Sequence, residues 1–373
     1  MFSYLPKNPN GLAFIADARI KSDKEVAENQ GGCPVLDNYW IGRESLGKRE
    51  WERTARATMF DYKEDLQSLD KQAAKALKQA RKAELRAWLK QLQPTAVILL
   101  QTLSRSVEES DLSDTAVWSA INNPGSLAEC FGTAFLGEDE TYFIPIPNSY
   151  QYDWEMAWYI RRWMRMGLDI AKGKTTPLRC AESITHPTER ALELLRGYLT
   201  ATHISVDLET IPRKDTITAI NLSDGKTAVS LPWHSYSVYP TGGQAALRDF
   251  VLGPACETAI RDILAAEHIT KIGHNIVGFD LLEMGRFGLV CNGPIEDTML
   301  MHRDVHPSYR HGLQVACATE YCVEPWKTMH KPVNKPKGTV EFWTAKPEAL
   351  RQYGCNDAFH QFQLFNALRW KLG

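Results

Sequence analysis

The sequence predicts an α/β fold in two domains. In the first half of the chain, strand-like and helix-like segments alternate, as they do in an α/β layer. In the second half, a stretch with a period of two precedes a hairpin signal and further helices. Residues 171–187 carry Gly, Lys, Thr and Pro in close succession without periodicity, which is typical of a linker. We therefore predict domains of residues 1–180 and 181–373, and the chain of 373 residues is long enough for both.

The composition is that of a globular protein without a membrane segment. No apolar run approaches the length of a membrane span, and no signal peptide begins the sequence. The 43 basic and 45 acidic residues give a net charge of −2, so any nucleic-acid binding must come from local basic patches. None of the eight cysteines forms a Cys-x-x-Cys pair. We therefore expect reduced thiols, no structural zinc and a cytoplasmic protein without a membrane partner.

The first half predicts a parallel-type sheet with packed helices. An apolar run covers residues 11–18, and a long helix follows at about residues 65–92. Buried strands are predicted at residues 95–100 and 141–146, and a further helix at 154–168. A basic stripe on the long helix is more simply a solvated face than a phosphate-binding surface; it consists of Lys71, Lys75, Lys78, Lys82 and Arg86.

The second half predicts a mixed sheet with flanking helices. A strand at residues 204–210 precedes two strands, 216–222 and 227–231, that are joined by an Asp-Gly turn. A short helix at 188–199 comes before this meander. Later elements are a helix at 256–266, a strand at 269–273, a helix capped by Asp297, a helix at 313–321 and a long helix from Pro347.

Three segments of this half carry carboxylates in suggestive places. Asp207 and Glu209 share one face of a strand, where they repel each other unless a cation holds them. Alone, such a pair is most often solvated. Asp280 follows Gly273–Phe279 at a helix start, where a simple cap is the alternative. Tyr353 and Asp357 share one face of the last helix, although a tyrosine packed beside a surface aspartate would look the same.

Together the segments resemble a known family. The order Asp207-x-Glu209, then Asn275-x-x-x-Phe279-Asp280, then Tyr353-x-x-x-Asp357 resembles the three exonuclease motifs of the DEDD superfamily. The tyrosine resembles the DEDDy branch, which includes the proofreading domains of family A DNA polymerases. The resemblance covers the second half of the chain and implies a ribonuclease H-like sheet.

The resemblance also implies a chemistry. Asp207 would bridge two divalent ions, Mg²⁺ or Mn²⁺. Glu209 and Asp357 would complete the metal that carries the nucleophilic water, Asp280 would support the second metal, and Tyr353 would orient the water. DNA would be cleaved from a single-stranded 3′ end into 5′-mononucleotides.

Five residues are predicted to contact the nucleic acid. Asn275 and Phe279 fall where the family contacts the terminal nucleotide, and Thr210 ends the first motif strand. Trp326 and Lys327 begin a segment, residues 325–337, in which basic, aromatic and proline residues are interleaved. Such a loop suits single-stranded nucleic acid, because cations follow the backbone and rings stack on bases. A proline-stiffened surface loop is the alternative.

The first half more faintly resembles the uracil-DNA glycosylase superfamily. The likeness lies in Pro94–Leu99 after a helix and in Pro147-Asn148-Ser149-Tyr150 after a late strand. Asn148 stands where the family has a histidine, and residues 16–19 lack the Pro and Gly of its water-activating loop. We therefore interpret the domain as a degenerate, non-cleaving relative, with an unrelated α/β domain as the alternative.

The leading hypothesis is a 3′–5′ exonuclease that serves a separate DNA polymerase in trans, in a phage or bacterium, for proofreading or repair. An exoribonuclease of the ribonuclease D kind is the second hypothesis, but the accessory C-terminal domain of that family is not found in the sequence. A catalytically silent DNA-binding or polymerase-docking subunit is the third, and the five matched motif residues argue against it. Additional uracil excision is disfavoured by Asn148.

Overall fold

The described residues form two compact units. The computed structural model describes residues 2–16, 44–58, 70–101, 130–137, 140–147, 154–210, 217–233, 253–327 and 347–372. The first unit comprises Met1–Leu178 and Tyr321–Pro325, and the second comprises Arg179–Glu320 and Trp326–Gly373. The predicted domains are contiguous in sequence, whereas Tyr321–Pro325 belongs to the first unit. Its backbone accepts hydrogen bonds there, from Leu178 to Cys322 and from Ala134 to Val323.

The first unit is built on a six-stranded sheet with the order β1-β3-β2-β4-β6-β5. The strands β3, β2, β4 and β6 run parallel, and β1 and β5 are antiparallel edges. The strands are Phe2–Tyr4 (β1), Leu12–Ala16 (β2), Ala55–Thr58 (β3), Ala96–Gln101 (β4), Phe135–Leu136 (β5) and Tyr142–Pro147 (β6). The helices are Lys48–Glu52 (α1), Lys71–Leu92 (α2) and Trp154–Ala171 (α3).

These bounds confirm the strands and helices predicted for the first half. Helix α2 begins after Asp70, whose carboxylate accepts hydrogen bonds from two backbone N–H groups of the first turn. Helix α3 packs on the sheet with Trp163 fully buried. The two glycosylase-like loops follow β2 and β6, and residues 17–19 and 148–150 lie outside the described part. The side chains of four of the five basic-stripe residues also lie outside it. Both interpretations therefore stay predictions.

The second unit contains a second six-stranded sheet, with the order β12-β11-β8-β9-β10-β7. Strands β8, β9 and β10 form an antiparallel meander, and β11 and β12 extend it in parallel. The strands are Glu182–Ile184 (β7), His203–Thr210 (β8), Ile217–Ser223 (β9), Thr227–Pro232 (β10), Thr270–Gly273 (β11) and Ile295–Asp297 (β12). The helices are Glu189–Tyr198 (α4), Pro254–Ala265 (α5), Asp280–Arg286 (α6), Thr298–Val305 (α7), Leu313–Glu320 (α8) and Pro347–Leu372 (α9).

This architecture is consistent with the ribonuclease H-like expectation. The predicted hairpin turn is present, because Asp224 accepts hydrogen bonds from the N–H groups of Lys226 and Thr227, and Gly225 adopts φ 82°. The predicted linker is wrong in one place. Glu182–Ile184 pairs with β10 as a three-residue edge strand, too short to produce a periodic pattern.

Helices cover both faces of the β8–β10 meander. On one face, Ile204, Val206 and Leu208 are buried in an apolar cluster with residues of α4 and α5. On the other face, α9 crosses β8, β9, β10 and β11. The polar residues of β8 therefore lie under a helix and not in bulk solvent. Among the described residues, no helix combines the length and apolar character that a membrane span requires.

Candidate active site

Strand β8 presents two carboxylates to helix α9. Ser205 fixes the helix over this face of the sheet, because its hydroxyl donates a 2.6 Å hydrogen bond to the backbone carbonyl of Ala358. Asp207 and Glu209 follow at alternate positions and point to the same face. Asp207 is half-buried and Glu209 is buried. The alternation seen in the sequence thus places both carboxylates in a partly enclosed cleft.

Two amide side chains hold Asp207. The Nδ2 atom of Asn221, its partner across the β8–β9 ladder, donates to Asp207 Oδ2 at 2.7 Å. The Nε2 atom of Gln361, on α9, donates to Asp207 Oδ1 at 2.9 Å. The Oδ1 atom of Asn221 accepts a 2.6 Å hydrogen bond from Ser230, which fixes the orientation of the amide. The carboxylate of Asp207 is therefore positioned on both of its oxygens.

Asp280 reaches this site from the first residue of α6. Its Oδ1 atom accepts a 3.0 Å hydrogen bond from the backbone N–H of Leu208, the residue between the two carboxylates of β8. Asp280 is buried, whereas the ring of the preceding Phe279 is 39% exposed. The helix-cap alternative does not account for Asp280, because its carboxylate bonds to the neighbouring strand.

The loop before α6 is held by the predicted cap Asp297. Asp297 caps α7 and also accepts hydrogen bonds from the backbone N–H groups of Asn275 at 2.9 Å and Val277 at 3.3 Å. Asn275 adopts φ 66°, a left-handed conformation that asparagine tolerates better than most residues. Its side chain lies over Gly278, where a Cβ would be 2.5 Å from Asn275 Oδ1. The glycine therefore allows this compact loop.

Helix α9 supplies Tyr353 and Asp357, and one lysine bonds to both. The Lys327 ammonium donates to the two oxygens of Asp357 at 2.9 and 2.7 Å and to the hydroxyl of Tyr353 at 2.8 Å. The indole N–H of Trp326 also donates to Asp357. The indole ring is 2% exposed and stacks on His360 at 4.2 Å between centroids. Asp357 is thus a buried group, and the surface-aspartate alternative is wrong.

The carboxylates form one electrostatic cluster. One oxygen from each of Asp207, Glu209 and Asp357 lies within 4.8 Å of the others. Burial, followed by the charge of Asp357, raises the pKa of Asp207 to about 7. Burial and the charge of Asp207 raise the pKa values of Glu209 and Asp280 well above their ordinary range. Each negative charge is therefore costly without a cation.

The donor set fits a hard divalent cation. Three carboxylates converge, with a fourth attached through Leu208, and oxygen ligands of this kind suit Mg²⁺ or Mn²⁺. The ammonium of Lys327 already lies beside this cluster. Within the described part of the chain, Asp357 is the one carboxylate of the cluster that it contacts. A cation bound among these carboxylates would offset both the burial of their charges and the repulsion between them, the two causes that raise the pKa values of Asp207 and Glu209.

The structure brings the five motif residues together, and two predicted contacts occupy unexpected positions. Trp326 was predicted on an exposed loop, but its buried ring presents no free face for a base. Lys327 bonds to motif residues and is only partly exposed. Thr210 is partly exposed at the end of β8, beside a register irregularity that follows Glu209. Residues 328–346, most of the predicted loop, lie outside the described part.

Sequence reasoning missed the two amides that hold Asp207. Asn221 lies in a predicted strand, and the hairpin turn at residues 223–226 fixes its register opposite Ser230 of β10. Its position opposite Asp207 depends on the pairing of β8 with β9, which that turn does not set. Gln361 lies four residues after Asp357, so it extends the same helical face. The helical spacing therefore gave a signal for Gln361, whereas the contact of Asn221 with Asp207 required the pairing of the two strands.

Comparison with known proteins adds a fold-level likeness. No family model matches the sequence, and no curated protein is similar to it. Solved nuclease structures are similar to this chain. NrnC from Brucella melitensis is 18% identical, over 53% of this chain and 82% of that chain, with a TM-score of 0.33. RNase D from Escherichia coli, an exoribonuclease, is 16% identical, over 50% and 44%, with a TM-score of 0.33.

A polymerase structure is similar to the same degree. The POL domain of Pol1 from M. smegmatis, in complex with DNA primer-template and dNTP, is 16% identical over 51% of this chain and 27% of that chain, with a TM-score of 0.33. At these identities and TM-scores, nothing about activity or substrate follows from the likeness. The chemistry must come from the residues of this chain.

Proposed function

We propose that the second unit is a metal-dependent 3′–5′ exonuclease of the DEDDy type, which hydrolyses DNA from its 3′ end to 5′-mononucleotides. One observation carries the proposal: oxygens of Asp207, Glu209 and Asp357 converge within 4.8 Å. Asp280 and Tyr353 complete the motif set around them, through Leu208 and Lys327. A binding module has no use for a buried carboxylate cluster of this kind, because each charge weakens its stability.

The protein groups have separate roles in this proposal. Two divalent cations held by the four carboxylates would offset the charge of the phosphodiester and lower the pKa of the attacking water. Tyr353 acts as a hydrogen-bond donor that orients this water, because burial, followed by the charge of Asp357, raises its pKa well above the ordinary range. At neutral pH the phenol therefore keeps its proton and is no general base. Asn221 and Gln361 keep the Asp207 oxygens in place.

The substrate end would lie beside the loop before α6. Phe279, which directly precedes Asp280, is 39% exposed, and Val277, three residues before Asp280, is 52% exposed. An exposed ring beside the carboxylates offers a stacking surface for the terminal base. Asn275 and Thr210 flank the same carboxylates in sequence. These contacts are sequence-tolerant, which suits an exonuclease that removes any nucleotide.

DNA is the proposed substrate class. The motif order resembles proofreading domains of family A DNA polymerases, and the first unit faintly resembles a DNA glycosylase that no longer cleaves. We therefore propose that the chain acts on single-stranded DNA 3′ ends and serves a polymerase in trans. RNA ends, the substrate of ribonuclease D relatives, are the alternative that the first experiment must separate.

The test is degradation of single-stranded DNA and RNA of matched sequence. Oligonucleotides labelled at the 5′ end report polarity as a ladder, and 3′-labelled ones report release of mononucleotides. With Mg²⁺ or Mn²⁺ we expect stepwise shortening of DNA from the 3′ end. Asp207→Asn is expected to lower the rate by at least about 1,000-fold, because it removes the negative charge of a ligand proposed to bridge both metal ions. Asp262→Asn, an exposed aspartate on α5, is the matched control and is expected to retain activity.

Other outcomes would change the proposal in defined ways. Faster degradation of RNA would transfer the activity to the ribonuclease D class. Equal loss of activity in Asp262→Asn and Asp207→Asn would mean that the carboxylate site is not the specific source of the activity. No degradation of either polymer, with both metals and both polarities tested, would replace the enzyme by a silent binding subunit.

A further inference from the structure

A second cluster of ligating side chains lies in the second unit, apart from the carboxylate site. His302 and His306 are four residues apart at the end of α7, so they share one helical face. Glu320 ends α8. One ligand atom from each of these three residues lies within 4.8 Å of the others, and all three side chains are buried. The exonuclease proposal makes no use of them.

The hydrogen bonds of His302 leave a lone pair on Nδ1. The hydroxyl of Thr319 donates its single hydrogen to the backbone carbonyl of Ala316 at 2.7 Å. At His302 Nε2, 3.1 Å away, this hydroxyl must therefore accept, so Nε2 carries the proton. A histidine with one N–H fixed by a hydroxyl and a lone pair on the other nitrogen is arranged as metal-ligating histidines are.

The other contacts are close to ligand–ligand distances. His306 Nε2 lies 2.7 Å from Glu320 Oε1, and His302 Nδ1 lies 2.9 Å from His311 Nδ1. Two ligand atoms bound at about 2.0 Å to a tetrahedral zinc ion lie roughly 3.3 Å apart. An ion would thus require these pairs to open by about half an ångström. His311 supplies a further nitrogen beside His302, although it is not one of the three residues that converge within 4.8 Å.

We propose that His302, His306 and Glu320 form a transition-metal site of the Zn²⁺ class, with His311 as its fourth ligand. Imidazole nitrogen suits Zn²⁺, whereas Mg²⁺ prefers oxygen ligands, so the ion would differ from that of the carboxylate site. Arg303 follows His302, where the zinc helix of a metalloprotease carries a glutamate base, so the site is structural. The bound ion would tie α7 to α8. The cysteine pattern led us to expect no structural zinc, but none of the ligands of this site is a cysteine.

One cation already contacts this cluster. The Lys371 ammonium lies 2.6 Å from Glu320 Oε2, and its side chain is 38% exposed. In the absence of metal, Lys371 and His306 compensate the buried Glu320 charge. A bound ion and Lys371 repel each other, so removal of the lysine charge should tighten metal binding. This gives a test that leaves every proposed ligand in place.

The experiment uses the full chain with the carboxylate site disabled by Asp207→Asn and Asp357→Asn. The protein is incubated with Zn²⁺ and passed through a desalting column, and retained zinc is measured by elemental analysis. We expect about one zinc per chain, not displaced by Mg²⁺, because histidine ligands discriminate against that ion. Adding His306→Gln should weaken the affinity at least tenfold in a chelator competition, and adding His268→Gln, an exposed histidine, should not.

A further variant keeps the test decisive if His306→Gln fails to fold. In the same background, Lys371→Met should raise zinc affinity at least threefold, and bound Co²⁺ should give the visible spectrum of a four-coordinate nitrogen and oxygen site. No retained zinc in the parent, equal retention after His306→Gln, or an affinity indifferent to Lys371→Met would each overturn the proposal. Nuclease activity enters none of these readouts, so the two proposals can fail independently.

Discussion

At the scale of single residues, Lys327 occupies a position where a metal ion would compete with it. Its ammonium bonds to both oxygens of Asp357, and a divalent ion bound there experiences this positive charge at close range. Replacement by methionine keeps most of the side-chain length and removes the charge. Asp357 would then bind a metal ion more tightly.

We expect Lys327→Met to lower the Mg²⁺ concentration for half-maximal exonuclease activity by about threefold or more, since a like charge beside the ligands is removed. The measurement is a Mg²⁺ titration of the initial rate on 3′-labelled DNA. Lys226→Met, an exposed lysine of the hairpin turn, controls for the loss of a positive charge elsewhere. An unchanged half-saturating concentration for Lys327→Met would show that the ammonium does not oppose metal binding.

The same residues show what a sequence can predict at this scale. Asp207, Glu209 and Asp280 were predictable because the order of their motifs resembles that of the DEDD exonucleases. The contact between Lys327 and Asp357 was not, because their thirty-residue separation is closed only by the folded chain. Trp326 was predicted on a surface loop, and its burial depends on packing against His360. Pairs within one element can be found from spacing, and pairs between elements require the fold.

At the scale of elements, the site depends on how closely α9 approaches the sheet. Gly354 lies on α9 where the helix crosses Asn221 of β9, and a Cβ there would be 2.4 Å from Asn221 Oδ1. Asn221 is held on both sides, by Ser230 and Asp207, so it cannot give way without loss of hydrogen bonds. The glycine is thus a packing requirement of this helix–sheet contact.

We expect Gly354→Ala to destabilise the protein by about 1–3 kcal/mol, the usual range for overpacking in a core. Exonuclease activity should fall with it, because the α9 ligand Asp357 moves relative to Asp207. Thermal unfolding and the DNA assay measure the two effects. Gly197→Ala in α4 has nothing within 4 Å of its Cβ and should be neutral or stabilising. Equal stability of Gly354→Ala and the parent would contradict the assigned helix–sheet contact.

Elements with strong local signals were predicted well. The period of two in β8, the Asp-Gly turn and the Pro347 start of α9 correspond to the structure within a residue or two. Strand β7 was missed, because three residues carry no period and its pairing with β10 is non-local. The place of residues 321–325 in the first unit was also not predicted, because it depends on contacts with residues that are distant in sequence. The sequence predicts the periodicity of an element better than it predicts which other element pairs with it.

At the scale of the whole molecule, the raised pKa values couple folding to pH and metal. A carboxyl whose pKa is higher in the folded state holds its proton there after the unfolded chain has lost it. Its contribution to the stability of the folded state is therefore complete at pH values below the unfolded pKa, near 3.8. This contribution is lost as pH rises through the folded pKa, which is about 7 for Asp207. Glu209 and Asp280 act in the same direction.

We therefore expect the melting temperature of metal-free protein in EDTA to fall more, or to rise less, between pH 5.5 and 7.5 in the parent than in Asp207→Asn, and Mg²⁺ to raise it at pH 7.5 by mass action on the folded state. Acids with lowered pKa values, such as Glu50 and Glu348, contribute little change, because this window lies above 4.5, the ordinary glutamate pKa. Buried histidines with lowered pKa values, such as His274, His302 and His360, contribute in the opposite direction, because the unfolded chain loses its extra protons as pH rises through 6.5. Scanning calorimetry of the full chain is the measurement. The change in melting temperature from pH 5.5 to 7.5 should be less negative or more positive in Asp207→Asn than in the parent, because one titrating group and its repulsion of the others are removed, whereas Asp262→Asn should match the parent. An equal pH dependence of the melting temperature in Asp207→Asn and the parent would mean that Asp207 is already ionised and compensated without metal.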